Sequence, residues 1–336
     1  MKRALKTWAR GRAGALAAAV PAGAAERLRH ALDDAPEGSR RAALQTQALG
    51  FVRLRGLPPD LGRFDVDGVT MEASGSAVVE RLYWMGHQGW EPELAAWWPR
   101  ACSLSTKVVE VGANVGYLTL LGARANPEAE YVAVEPHPAA ATALRRNLAI
   151  NDVGNVKVVE AAVVADDSER VGLRVPPADR HAVPRSAYLD HPNRLRDWRD
   201  TVDVEAVRLQ DLAAGAGAIL LDAEGWEWSL LDGMTDDLAR THPMLFVCVS
   251  RVLAEDRRLL LELLASGYLA FAPDAGTLTA LDQRELLRRL VRAPRLTRLV
   301  LATAEQLAAL VQSRSHSLSR LAGPPPSSGV EPEPGA

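Results

Sequence analysis

Val108-Val109-Glu110-Val111-Gly112-Ala113-Asn114-Val115-Gly116 is the stretch on which the fold turns. Residues 108–111 read as a short buried strand, and the glycine-bounded loop opens a helix over 116–124. A side chain at Gly112 or Gly116 would stand between the backbone and anything lying across the strand ends, so glycine there permits close approach and unusual dihedrals. Working outward, strands are expected at 131–134, 156–164, 202–209, 218–222, 244–249 and 268–271. Helices are expected at 138–150, 226–233 and 256–265. Strands alternating with helices at this interval imply βαβ crossovers. The expected class is α/β, a doubly wound, Rossmann-like, mainly parallel sheet covered on both faces.

The flanks are different in character. Residues 1–77 read as an alanine-rich helical N-terminal extension; its basic start, Lys2 to Arg12, and the mild stretch 13–20 read as helix rather than as a secretory signal. Residues 78–98 carry Tyr83, Trp84, Trp90, Trp97 and Trp98, and Glu91-Pro92-Glu93 suits a helix start. The catalytic domain is expected over 78–275. Residues 276–322 read as a helical C-terminal region, with the arginines from Arg284 to Arg298 on a solvated helix face. Thr303 and Gln306 form a capping box there. Residues 323–336, with five prolines, read as a disordered tail.

A 48% apolar and 24% charged chain is that of an ordinary globular protein, and a net charge of −3 gives no general attraction to nucleic acid or an anionic membrane. No apolar run reaches the roughly 18–20 residues needed to span a bilayer. Cys102 and Cys248 are the only cysteines, too few for a disulfide framework, which points to the cytoplasm.

The loop after the first strand and Glu135 at the end of the second form a nucleoside-binding layout, since a carboxylate can accept hydrogen bonds from two ribose hydroxyls. A dinucleotide site wants GxGxxG, and here Asn114 stands at the middle glycine. The loop has no Lys or Arg, and Glu110 brings a negative charge, which suits a cationic sulfonium ligand better than a pyrophosphate.

At this point the chain resembles the FkbM-type methyltransferase family. The likeness lies in Val109 to Tyr117, Val134-Glu135-Pro136-His137-Pro138, Leu144 to Asn151 with Asn155-Val156, and Leu220-Leu221-Asp222-Ala223-Glu224-Gly225-Trp226-Glu227 with Leu231 to Met234. It covers roughly residues 78–272. The resemblance implies S-adenosylmethionine as cofactor, a class I sheet of seven strands with one antiparallel, and methylation of a hydroxyl. It places Glu110, Gly112, Asn114 and Gly116 around the methionine end, Glu135 at the ribose and Asp166 near the adenine. Many members carry a glutamate in the strand matching 245–249, where this chain reads Phe246-Val247-Cys248-Val249.

Methyl transfer to an alcohol needs positioning and a group that takes the proton. Asp222 and Glu224, two apart at a strand end, are the candidate catalytic carboxylates, and two apart on an extended chain they point the same way. The competing structural role is capping of the helix that follows. A metal is not expected, because no third oxygen ligand is apparent. His137 is read as shaping its turn. The insert 176–199 carries Arg180, His181, Arg185, His191, Arg194, Arg196 and Arg199, a basic loop able to meet an anionic acceptor or simply to be solvated. The expected partner is a small-molecule or glycan acceptor. The alternatives are an NAD-dependent oxidoreductase and a methyltransferase-like scaffold that binds nothing.

Overall fold

The computed structural model describes residues 23–35, 39–176, 183, 187–189, 200–249, 256–274, 276–292 and 297–313; the tail 323–336 lies outside them. Helices Ala24–Asp33, Ser39–Arg55 and Ala77–Met85 share a small core around Leu28, Leu32, Ala48 and Trp84. Trp84 Nε1 donates to the Gly56 carbonyl at 2.8 Å.

The extension is not wholly helical. β1 (Arg63–Val66) and β2 (Val69–Glu72) form an antiparallel hairpin. Asp67 and Gly68 close it with φ of 51° and 75°, the left-handed pair that a tight two-residue turn requires. Phe64, Val66, Val69 and Met71 bury one face in the main core. Thr70 N donates to the side chain of Asn151, the C-cap of helix Pro138–Ile150, and Glu72 N to that of Asn147 within it, which fastens the hairpin to the sheet domain.

The central sheet begins with β3 (Lys107–Val111), β4 (Glu130–Val134) and β5 (Val156–Val159), all parallel. The span expected as one strand over 156–164 breaks at Glu160-Ala161, and the chain leaves for a second sheet. That sheet holds β6 (Ala162–Val164), β7 (Arg170–Arg174), β8 (Tyr188–Leu189) and β9 (Thr201–Arg208), in the order β6-β9-β7-β8. The chain returns with β10 (Ala218–Leu221), β11 (Met244–Val249), β12 (Leu269–Pro273), β13 (Leu278–Leu281) and β14 (Thr297–Ala302). The central order is β13-β12-β14-β11-β10-β3-β4-β5. β14 runs antiparallel between β11 and β12, which gives the expected seven strands with one reversed; β13 adds an eighth at the edge.

The C-terminal region is therefore not simply helical. Helices Gln283–Arg292 and Ala304–Gln312 are present, the second with the expected capping box between Thr303 and Gln306. Between them, Leu299, Val300, Leu301 and Ala302 are fully buried in a row. A strand covered on both faces takes such a continuous apolar run, and periodicity alone does not tell it from a buried helix.

Two apolar layers clasp the sheet. Trp98, Leu120, Leu144, Leu220 and Phe246 belong to one, and Ile219, Leu221, Leu245, Val247 and Leu260 to the other. Each such buried side chain contributes about 1.5–3 kcal/mol, so the strand ends that carry the site are held rigidly. Among the described residues, no helix is long and apolar enough to cross a membrane.

Candidate active site

Three adjacent strand ends are tied together by their backbones. Gly112 N and Ala113 N donate to Val134 O at 2.9 and 3.1 Å, and Asp222 N donates to Val111 O at 3.0 Å. The glycines follow from this closeness. Gly112 has φ 84°, and a Cβ there would lie 2.4 Å from the Asp222 carbonyl oxygen; at Gly116, φ 87°, it would lie 2.3 Å from Leu144 Cδ1. Gly112 thus lets β3 and β10 converge, while Gly116 seats helix Tyr117–Ala125 against helix Pro138–Ile150. Asn114, between them, is also left-handed at φ 50°.

Beyond this loop lies a cleft lined by Glu110, Gly112, Asn114, Glu135, His137, Asp222 and Glu224, among others. Glu135, at the end of β4, is buried and already oriented: Oε2 accepts Asn114 N at 2.8 Å and Oε1 accepts His137 N at 2.9 Å. Burial raises its pKa to about 7 even though those two N–H groups favour the charged form. Each oxygen keeps a lone pair for a further donor. His137 Nδ1 is buried without a partner on the same wall, and burial lowers the pKa of that ring. Glu110 is less free than expected. Its Oε2 accepts Thr119 Oγ1 at 2.7 Å and Tyr131 OH at 2.6 Å, and burial raises its pKa to about 7.

Asp222 and Glu224 face the same cleft, but not for the reason their spacing suggests. β10 ends at Leu221, and Glu224 is left-handed at φ 49°, so the two are not successive residues on one face of an extended strand. Neither caps helix Glu227–Asp232; Glu227 Oε1, buried, accepts Gly225 N at 3.0 Å instead. Removal from water, then the charges of Glu91 and Glu224, push the Asp222 pKa well up, while Arg298 pulls it down.

Six of the eight expected site residues line the cleft. Gly116 stands behind the loop, and Asp166 is exposed outside it, its Oδ1 accepting Ser168 N at 3.0 Å; Ala161, Ala162 and Val163 line the wall in its stead. The basic residues of the insert 176–199 lie outside the described residues. The far wall comes from Trp90, Glu91, Leu94, Leu173, Leu189 and Trp226. Of these, Trp226 was marked by its place directly after Glu224-Gly225, whereas nothing local marked Glu91 as a cleft residue. Among the described residues, no group of three or more His, Cys, Asp or Glu side chains is arranged to hold a metal ion.

Residues 110–270 match a family model described as the methyltransferase FkbM domain. A curated relative, Methyltransferase 1 of Beauveria bassiana, is 25% identical over 146 residues, which span 39% of this chain and 59% of that protein. The match thus covers about three-fifths of the relative's length. Among solved structures, the chain is similar to methyltransferase FkbM from Methylobacillus flagellatus KT, at 15% identity and TM-score 0.36, over 78% of this chain and 59% of that one. It is also similar to TYW2 of M. jannaschii in complex with AdoMet, at 14% identity and TM-score 0.37, over 73% and 86%. At these TM-scores the likeness is loose, and the fold class stands on the strand order.

Proposed function

We propose, from the match of residues 110–270 to the methyltransferase FkbM domain, that the chain moves a methyl group from S-adenosylmethionine to a hydroxyl of a small-molecule or glycan acceptor. The observation that carries the reading is Glu135. Its carboxylate is fixed by Asn114 N and His137 N beside the glycine loop, in the same cleft as Asp222 and Glu224.

The residues fit the cofactor. Glu135 has the spare acceptor capacity two ribose hydroxyls need, and the buried, unpartnered His137 Nδ1 is a polar atom that a bound adenosyl group can satisfy. Gly112, Asn114 and Glu110 stand for the amino-acid end. The cofactor supplies an electrophilic methyl group on a sulfonium, transferred in one in-line displacement. The protein then has to hold the acceptor and take its proton. Asp222 and Glu224 are assigned that work: one carboxylate anchors the hydroxyl and the other accepts its proton as the new bond forms. A carboxylate whose pKa is pushed up is a better base than a solvated one, provided it remains ionised. Trp90, Leu94, Leu173, Leu189 and Trp226 provide apolar surface that keeps water from competing as acceptor. Cys102 and Cys248, both buried free thiols, suit a cytoplasmic enzyme.

The test is a mass-spectrometric screen of the protein with S-adenosylmethionine over neutral sugars, polyketide alcohols, phenols and their amino analogues. The expected product gains one methyl as an ether. Transfer only to nitrogen or carbon acceptors would refute the hydroxyl reading.

A further inference from the structure

Arg298 lies on β14, in a region whose arginines read from sequence as a solvated helix face, yet its side chain is only 16% exposed. Leu221 pairs with Val247, and Cys248 with Arg298, so Asp222, Cys248 and Arg298 stand in a row across the ends of β10, β11 and β14. Val300, two residues on from Arg298, and Phe246, two before Cys248, belong to the apolar layer that also holds Leu94, Trp97 and Trp98 of helix Pro92–Ser103. Glu91 sits at the N-cap of that helix with φ 46° and caps nothing with its side chain. Its carboxylate instead takes a two-pronged contact from the guanidinium, Nε to Oε2 at 2.6 Å and Nη2 to Oε1. Glu91 is 8% exposed and lines the cleft beside Asp222.

We propose that Arg298 is a positioning residue for the acceptor end of the cleft: it clamps Glu91 into the wall and sets a positive charge in the row of strand ends beside Asp222. The proposal rests on the methyltransferase reading of the cleft. The groups acting on Asp222 are Glu91 from the helix N-terminus, Glu224 and Glu227 from its own turn, and Arg298 and Cys248 from the neighbouring strands. Three of these are acids that disfavour its charge, and Arg298 is the cation set against them. A buried ion pair loses its balance when one partner alone is removed, so each single change has a defined sign. Without Arg298, Asp222 faces Glu91 uncompensated. Without Glu91, one repulsive charge disappears and the guanidinium is freed toward Asp222.

The experiment is a pH titration of the full chain labelled with 13C at aspartate carboxyls, with the Asp222 resonance assigned by D222N. Binding of S-adenosylhomocysteine is measured on every variant as the control for folding. R298Q is expected to raise the Asp222 midpoint by about one to two pH units, the effect of losing a nearby opposite charge. E91Q is expected to lower it, the E91Q/R298Q pair to return it toward the wild-type value, and R298K to keep it there. An unmoved midpoint in R298Q, or a shift of the same sign in R298Q and E91Q, overturns the proposal. Should R298Q fail to fold, E91Q must still lower the midpoint, and a midpoint unmoved or raised in E91Q overturns it equally. Failure of the wild type to bind S-adenosylhomocysteine would instead strike the reading beneath it.

Discussion

Glutamine in place of Glu135 separates a ribose-binding carboxylate from one that merely shapes its turn. The wild-type group is buried, with one backbone N–H on each oxygen, and burial raises its pKa to about 7. An amide of the same size keeps one acceptor oxygen but turns its NH₂ toward the Asn114 or His137 N–H. One backbone donor is left unsatisfied, and one ribose hydroxyl loses a charged partner. A hydrogen bond to a charged group contributes about 1.5–3 kcal/mol, so S-adenosylhomocysteine should bind about 10- to 150-fold more weakly at about pH 8. The pH dependence has a definite sign. Hydroxyl donors favour the carboxylate form, which is about nine-tenths populated at pH 8 and about one-tenth at pH 6 for a midpoint near 7. Wild-type affinity should therefore fall about tenfold as pH drops across that interval, and the variant, having no such proton, should lose this part of the slope. Isothermal titration calorimetry of both proteins at the two pH values measures it. Equal dissociation constants at pH 8 together with equal slopes would refute the reasoning.

Asp222→Asn and Glu224→Gln keep size and remove charge, so each should lower turnover on the identified acceptor by about 10²–10⁴-fold while changing S-adenosylhomocysteine affinity far less; full turnover in both would leave positioning alone to carry the reaction. Gly112→Ala puts a Cβ 2.4 Å from the Asp222 carbonyl at a φ of 84°, and backbone strain of about 1–3 kcal/mol should lower the thermal midpoint by several degrees and weaken cofactor binding. Glu110 is held with its pKa raised to about 7, so the stability its protonated form provides is lost as pH rises from the usual carboxylate range through about 7. Glu110→Gln, neutral throughout, should accordingly raise the melting temperature relative to wild type more at about pH 8 than at about pH 5.5, and an equal change at both would count against the assigned ionisation.

The parts of the fold legible in the sequence are those whose determinants are local. The apolar run into Gly112 marks a strand and its loop, and helix Pro138–Ile150 begins at a proline just after Glu135-Pro136-His137. The β1–β2 hairpin is equally local, with Asp67-Gly68 between alternating apolar residues, but it is short and lies in an alanine-rich stretch whose helix propensity masks it. β14 was hidden for a different reason: four consecutive apolar residues beside a basic, leucine-rich helix have no period that distinguishes strand from helix. At the site, Glu135 was readable because its position relative to a strand end defines its task. Asp222 and Glu224 are legible as carboxylates at a strand end, but the left-handed Glu224 takes the pair off a common extended face. Asp166 was placed by likeness alone and lies outside the cleft. Glu91 and Arg298 are 207 residues apart, and only the antiparallel insertion of β14 brings them together.

The most direct test of the central claim is calorimetric titration of the purified chain with S-adenosylhomocysteine and, separately, with NAD. A glycine loop interrupted by Asn114 and flanked by Glu110 and Glu135 should give saturable one-to-one binding of S-adenosylhomocysteine and no heat of binding with NAD. Saturable binding of NAD with none of S-adenosylhomocysteine would contradict the account.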